Sequence, residues 1–99
     1  MKGAIASVDV FAAEADAPAG ERRRLTLTVT APERSEAADG WVCRVALADL
    51  HRPIAVEGRD SVTALAGALD RARSWLAELS AQGTTLFRDR TGESRFELG

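Results

Sequence analysis

Cys43, the only thiol, His51, the only imidazole, and Asp60 are the side chains from which covalent or acid–base chemistry could be built. A reactive thiolate needs an accessible, electropositive setting. Cys43 instead alternates with Trp41 and Val45 along a predicted strand, where a small buried side chain belongs. A general base needs a partner and a pocket. His51 is followed by Arg52 and Pro53 in a predicted turn, and turns lie at the surface. Asp60 stands just ahead of a long amphipathic run, the place of a helix cap.

Spacing assembles no catalytic pair or triad from these residues. A single Cys excludes an internal disulfide framework and a Cys-based zinc site. The carboxylates match no calcium-loop spacing. Gly58-Arg59-Asp60-Ser61 joins a predicted strand to a predicted helix, as phosphate loops do, but with one Gly rather than a Gly-rich run. The expectation is therefore no catalytic residue, no cofactor and no metal, and a function carried by binding.

The candidate binding residues are Arg22, Arg44, Arg71 and Trp75. Arg22 opens the run Arg22-Arg23-Arg24, which reads either as a solvated strand end protecting a sheet edge or as an anchor for an acidic partner. Arg44 lies among Thr26, Thr28, Thr30, Val42 and Ala46 on a semi-apolar sheet face that suits a protein partner or a second copy of the chain. Trp75 flanks the apolar stripe of the helix, one turn after Arg71. It either covers the sheet edge or stands exposed as an interface anchor. The acid-rich stretches Glu14–Glu21 and Glu33–Asp39 are suited to a basic partner. A net charge of −2 argues against general nucleic-acid binding, which needs a basic face. No apolar run approaches the roughly 20 residues that span a bilayer, and the first residues do not read as a signal peptide. A cytoplasmic protein is expected.

The elements that must position these residues follow from periodicity. Residues 4–11 read as a strand, with Ile5 and Phe11 on one face and Val8 and Val10 on the other; residues 12–21 read as a loop. Over 22–30, Leu25, Leu27 and Val29 alternate with Thr26, Thr28 and Thr30, the pattern of a strand with one wet face. Residues 31–40 read as a second loop, and 41–50 as a strand with Trp41, Cys43, Val45 and Leu47 on one side. His51-Arg52-Pro53 is expected to be a tight connection and 54–58 a short strand. Val62, Leu65, Leu69, Ala72, Leu76 and Leu79 then recur at helical spacing, with Asp60 or Ser61 as cap and Gly83 as stop. Thr84 to Phe87 returns to the sheet. A turn at Thr91-Gly92 would set Phe87 opposite Phe96 and Arg88 opposite Arg95.

Together these predict one α+β domain over residues 1–99. It has an antiparallel sheet of four to six strands and one long helix, about 60–82, on one face, in the order ββββαβ(β).

Two resemblances add to this reading. The run Trp41-Val42-Cys43-Arg44-Val45 with Gly58-Arg59-Asp60-Ser61-Val62-Thr63-Ala64-Leu65 resembles a family of small bacterial proteins with a W-x-C strand and a G-x-D-S-x-x-A-L helix start. Such domains are similar to immunity proteins of toxin systems, and the family assigns no catalytic residue. More loosely, strands leading into Asp60–Leu65 and then Ala72-Arg73-Ser74-Trp75-Leu76 are similar to HicB-type antitoxins, whose βββαβ core sequesters a small toxin. The chain departs from those in lacking their Pro/Gly-Cys segment between strands, and no appended DNA-binding domain is expected. The resemblances imply a non-enzymatic, immunity- or antitoxin-like binder of a bacterial toxin. The rival expectations are a small enzyme or small-molecule binder with its pocket between helix and sheet, and a homodimeric structural protein.

Overall fold

Period-two alternation puts one apolar row of each strand on one side of a sheet, and one amphipathic helix suffices to cover it. The computed structural model describes residues 4–14, 22–35, 40–89, 91 and 93–96. In it the strands are β1 (Ala4–Ala13), β2 (Arg23–Thr30), β3 (Glu33–Ser35), β4 (Gly40–Leu47), β5 (His51–Gly58) and β6 (Thr85–Phe87), with the helix α1 (Ser61–Ala81) between β5 and β6. All pairings are antiparallel. Across the sheet the strands run β5, β4, β2, β1, β6, with β3 beside the first half of β4 and β2 beside its second half. The protein is α+β, as its pattern predicts.

The core lies between α1 and one side of the sheet. Val10 and Ala12 of β1, Leu25, Leu27 and Val29 of β2, and Cys43, Val45 and Leu47 of β4 are buried there against Ala64, Ala68, Ala72, Trp75 and Leu76 of α1. The helix contact line differs from the predicted stripe. Val62 is 75% exposed, and the line runs along Ala64, Ala68 and Ala72. Alanine has no side chain beyond Cβ, so the helix backbone settles close to the sheet and Leu65 and Leu69 pack at its flanks. Gly58 is needed for the same approach: a Cβ there would meet the Ala64 backbone nitrogen at 2.5 Å.

Both helix ends use the expected residues. The Asp60 carboxylate accepts a hydrogen bond from the Thr63 backbone N–H at 2.6 Å. At the other end Thr84 N–H donates to Leu79 O and Gly83 N–H to Ser80 O, with Gly83 at φ 90°. This is the double-bonded left-handed stop that glycine favours.

Four local expectations are corrected. Ala12 and Ala13 extend β1 rather than starting a loop. Glu33–Ser35, expected as loop, form β3 against Gly40–Val42. A three-residue polar strand leaves no apolar alternation to read; residues 15–21 and 36–39 lie outside the described residues. The turn before β5 is at Ala48–Leu50 rather than His51–Pro53: Leu50 N–H donates to Leu47 O, and Asp49 takes φ 74°, a left-handed conformation that a short polar side chain tolerates. Finally, Phe87 pairs with Arg95 instead of Phe96. The shift lets Phe96 pack on the core cluster and removes the expected pairing of Arg88 with Arg95. Asp89 Oδ1 holds the hairpin, accepting from the N–H groups of Glu93 and Ser94.

Candidate functional site

The side of the sheet away from α1 is uncovered among the described residues. Cross-strand partners share a face, so register assigns it. Asp9, Thr26, Thr28, Ala46, Arg44 and Ala55 fall on it, as do Phe11, Arg24 and Phe87 toward β6. Next to β5 this face sinks into a cleft of about 680 Å³, floored by Thr26, Thr28 and Ala46 and walled by Arg44, Leu50, Arg52 and Pro53.

The cleft exists because β4 and β5 are out of step. Val45 faces Ile54, but Leu47 faces His51, so Arg52 and Pro53 together oppose Ala46 alone. Such a bulge bends the strand and re-aims its side chains. Pro53 is tolerated because β5 is an edge strand and needs no second ladder partner. What reads as a turn in the sequence is thus the wall of a concave surface.

The electrostatics of the face are set by short side-chain links. Asp9 accepts from the Thr26 hydroxyl at 2.8 Å and lies 4.0 Å from Arg24. Arg44 lies 3.9 Å from Glu33. Both ion pairs are solvent-exposed and stabilise little. They orient the guanidinium groups while leaving them open to a partner. The arginine run is split by strand alternation. Arg22 sits over the Phe87 ring at 5.0 Å, Arg23 donates to Asp49 O at 3.3 Å and so braces the turn, and Arg24 joins Asp9. It forms no single basic patch; Arg23 and Arg24 are paired with β1 alone, since β4 pairs β2 only from Leu27 to Val29.

The four sequence-derived binding residues do not converge. Arg22 and Arg44 belong to the uncovered side, at opposite ends. Arg71 is exposed on α1. Trp75 is only 6% exposed and covers the sheet, stacked on His51. The cleft residues Leu50, Arg52 and Pro53 escape sequence reading, because their only signal is the proline and it reads equally well as a turn.

The candidate chemical residues are also placed. Cys43 is fully buried and its Sγ donates to Thr30 O at 3.0 Å. Burial raises its pKa, with Thr30 offsetting part of the effect. His51 is half-buried against Trp75 rather than exposed in a turn. Asp60 is held below the ordinary carboxylate range, first by the Thr63 backbone N–H and then by the Thr63 hydroxyl. Among the described residues no three His, Cys, Asp or Glu side chains cluster as a metal site would need. No helix among them is long and apolar enough to cross a membrane.

A smaller recess of about 270 Å³ opens between the end of α1 and the sheet, lined by Ala12, Arg23, Leu25, Leu50, Leu79 and Gln82 among others. Compared with known proteins, the chain matches no family model, no curated protein and no solved structure.

Proposed function

We propose that this chain is a non-enzymatic protein-binding module of the immunity or antitoxin kind, which neutralises a bacterial toxin by docking it on the uncovered sheet face. The observation that carries the reading is the concave, semi-apolar cleft between β2, β4 and β5. A floor of Thr methyls and Ala side chains offers apolar area, and Arg44 and Arg52 at its walls offer charge-assisted hydrogen bonds. This combination is common at protein interfaces. The partner is a protein, and the site uses no cofactor, nucleic acid or membrane.

The test is co-expression with the product of a neighbouring toxin-like gene. The wild-type chain is expected to protect the cell and to co-purify with that product. Thr28→Arg, which fills the cleft floor, is expected to lose both while keeping its melting temperature. Unimpaired protection by a folded Thr28→Arg variant would remove the face from the mechanism.

The recess at the end of α1 favours a second reading, a small-molecule binder using Arg23 and Gln82. It predicts ligand-dependent stabilisation that Arg23→Ala abolishes and Thr28→Arg leaves intact.

A further inference from the structure

One side of β1 is largely unpaired among the described residues. β2 pairs along β1 from Ala4 to Ala12, but on its other side β6 reaches only Phe11–Ala13. Among the described residues nothing pairs with that side from Ala4 to Val10. Every residue from Ala4 to Asp9 is exposed, Ile5 at 55% and Val8 at 37%.

An open edge presents a row of backbone N–H and C=O groups, and natural sheets blunt such edges with Lys, Pro, bulges or a covering segment. This edge carries no Lys and no Pro. Its single ionic group, Asp9, is drawn toward β2 by Thr26 and Arg24. The register irregularity between Ala4 and Ala6 lies at its far end and leaves the middle regular.

We propose that β1 pairs antiparallel with β1 of a second copy of this chain, with the twofold axis through Ser7 and perpendicular to the sheet. The edge itself argues for this occupant. Ser7 is the midpoint of the free stretch, so an identical strand centred there pairs from Ile5 to Asp9 and ends short of Phe11, where β6 begins; Ala4 and Val10, which the register shift puts on opposite faces, stay outside the ladder. Partners across an antiparallel ladder must share a face. The register satisfies that at its centre: Ser7 meets Ser7 on the uncovered side, and Ala6 meets Val8 on the helix side, where Val8 is otherwise solvated. The two Asp9 carboxylates do not oppose each other, because each falls beside Ile5, so no like charges meet. The axis also sets both uncovered faces on the same side of the joined sheet, although the inference stands independently of the toxin-binding reading.

The experiment is sedimentation of the full chain over a concentration series, with three variants. The wild-type chain is expected to dimerise. Ser7→Lys sets two ammonium groups against each other on the axis and is expected to weaken the dimer at least tenfold, with unchanged circular dichroism. Ser7→Cys is expected to form an intermolecular disulfide under mild oxidation, whereas Ile5→Cys is not, because Ile5 faces Asp9. The buried Cys43 supplies no competing thiol. If Ser7→Lys does not fold, the contrast between the two cysteine variants decides. A wild-type chain that stays monomeric throughout overturns the proposal. So does a folded Ser7→Lys variant that still dimerises, or equal cross-linking of Ile5→Cys and Ser7→Cys.

Discussion

His51 stacks on Trp75 with ring centroids 4.3 Å apart and planes within 4° of parallel. The contact ties the first residue of β5 to the fourth turn of α1 and closes the core beside Leu47, the cross-strand neighbour of His51. It also accounts for two residues that invite functional readings. The only imidazole is a packing partner for the indole, and the helix tryptophan seals the sheet.

The stack predicts a measurable coupling. Trp75→Ala empties a buried site and is expected to cost about 3–5 kcal/mol, much of the stability of a domain this size. Trp75→Phe keeps a ring and is expected to lose less. A double-mutant cycle in denaturant with Trp75→Phe and His51→Ala should return a coupling that is part of the about 0.5–1.5 kcal/mol an aromatic pair supplies. Strict additivity would mean that the two rings merely lie close.

Gly58 makes a sharper steric prediction. Gly58→Ala is expected to destabilise by about 1–3 kcal/mol, the range for overpacking. The added Cβ would meet backbone atoms of Thr63 and Ala64, which cannot rotate away. The extended conformation of β5 suits alanine, so the loss is a clash and not a backbone preference. Thermal melting of the variant checks it; a melting temperature at or above wild type would contradict the close approach.

The helix and the inner strands are legible in the sequence because their signal is periodic. Leu25, Leu27 and Val29 alternate, Asp60 caps and Gly83 stops, and each does what its local chemistry favours. The rotation of the helix stripe is harder to see, since hydrophobicity alone ranks Val62 above Ala64 and Ala68. Close packing reverses that order. The cleft is less legible still. It depends on a bulge at Arg52–Pro53, and that depends on Asp49 taking a left-handed conformation usually given to glycine. Nothing in the identity of Asp49 separates that from an ordinary turn position. The free edge of β1 is invisible for another reason: which strand borders which is decided by the crossover of α1 from β5 to β6, a long-range feature that no local window contains.

Cys43 is predicted to be chemically silent in the folded chain. Its side chain has no exposure, it already donates to Thr30, and burial raises its pKa, so at neutral pH even less thiolate is present than in a free cysteine. Modification by a thiol-specific disulfide reagent should then proceed through opening of the core. For an opening free energy of about 5 kcal/mol, labelling is expected to be roughly 5,000-fold slower in native buffer than in denaturant. Rapid labelling of the native chain would reopen the thiol as a candidate nucleophile.

Asp60 predicts how stability responds to acid. Its folded-state pKa is depressed because the charged carboxylate accepts hydrogen bonds from Thr63. The ionised cap therefore contributes stability above the unfolded-state pKa, about 3.9 for a free aspartate. That contribution is lost as pH falls through the lower folded-state value. Asp60→Ala is expected to melt below wild type at pH 7, with the gap narrowing once the solution is acidic enough to protonate the cap. Asp60→Asn keeps a capping oxygen without a titrating group. Relative to that variant, the wild-type chain should lose stability between pH 5 and 2, an interval of about 3 units that brackets the free carboxylate value. Melting curves of the three proteins across this range provide the check. A gap between wild type and Asp60→Ala that stays constant down to pH 2 would show that the carboxylate charge at the head of α1 contributes nothing, and that the cap acts through its geometry alone.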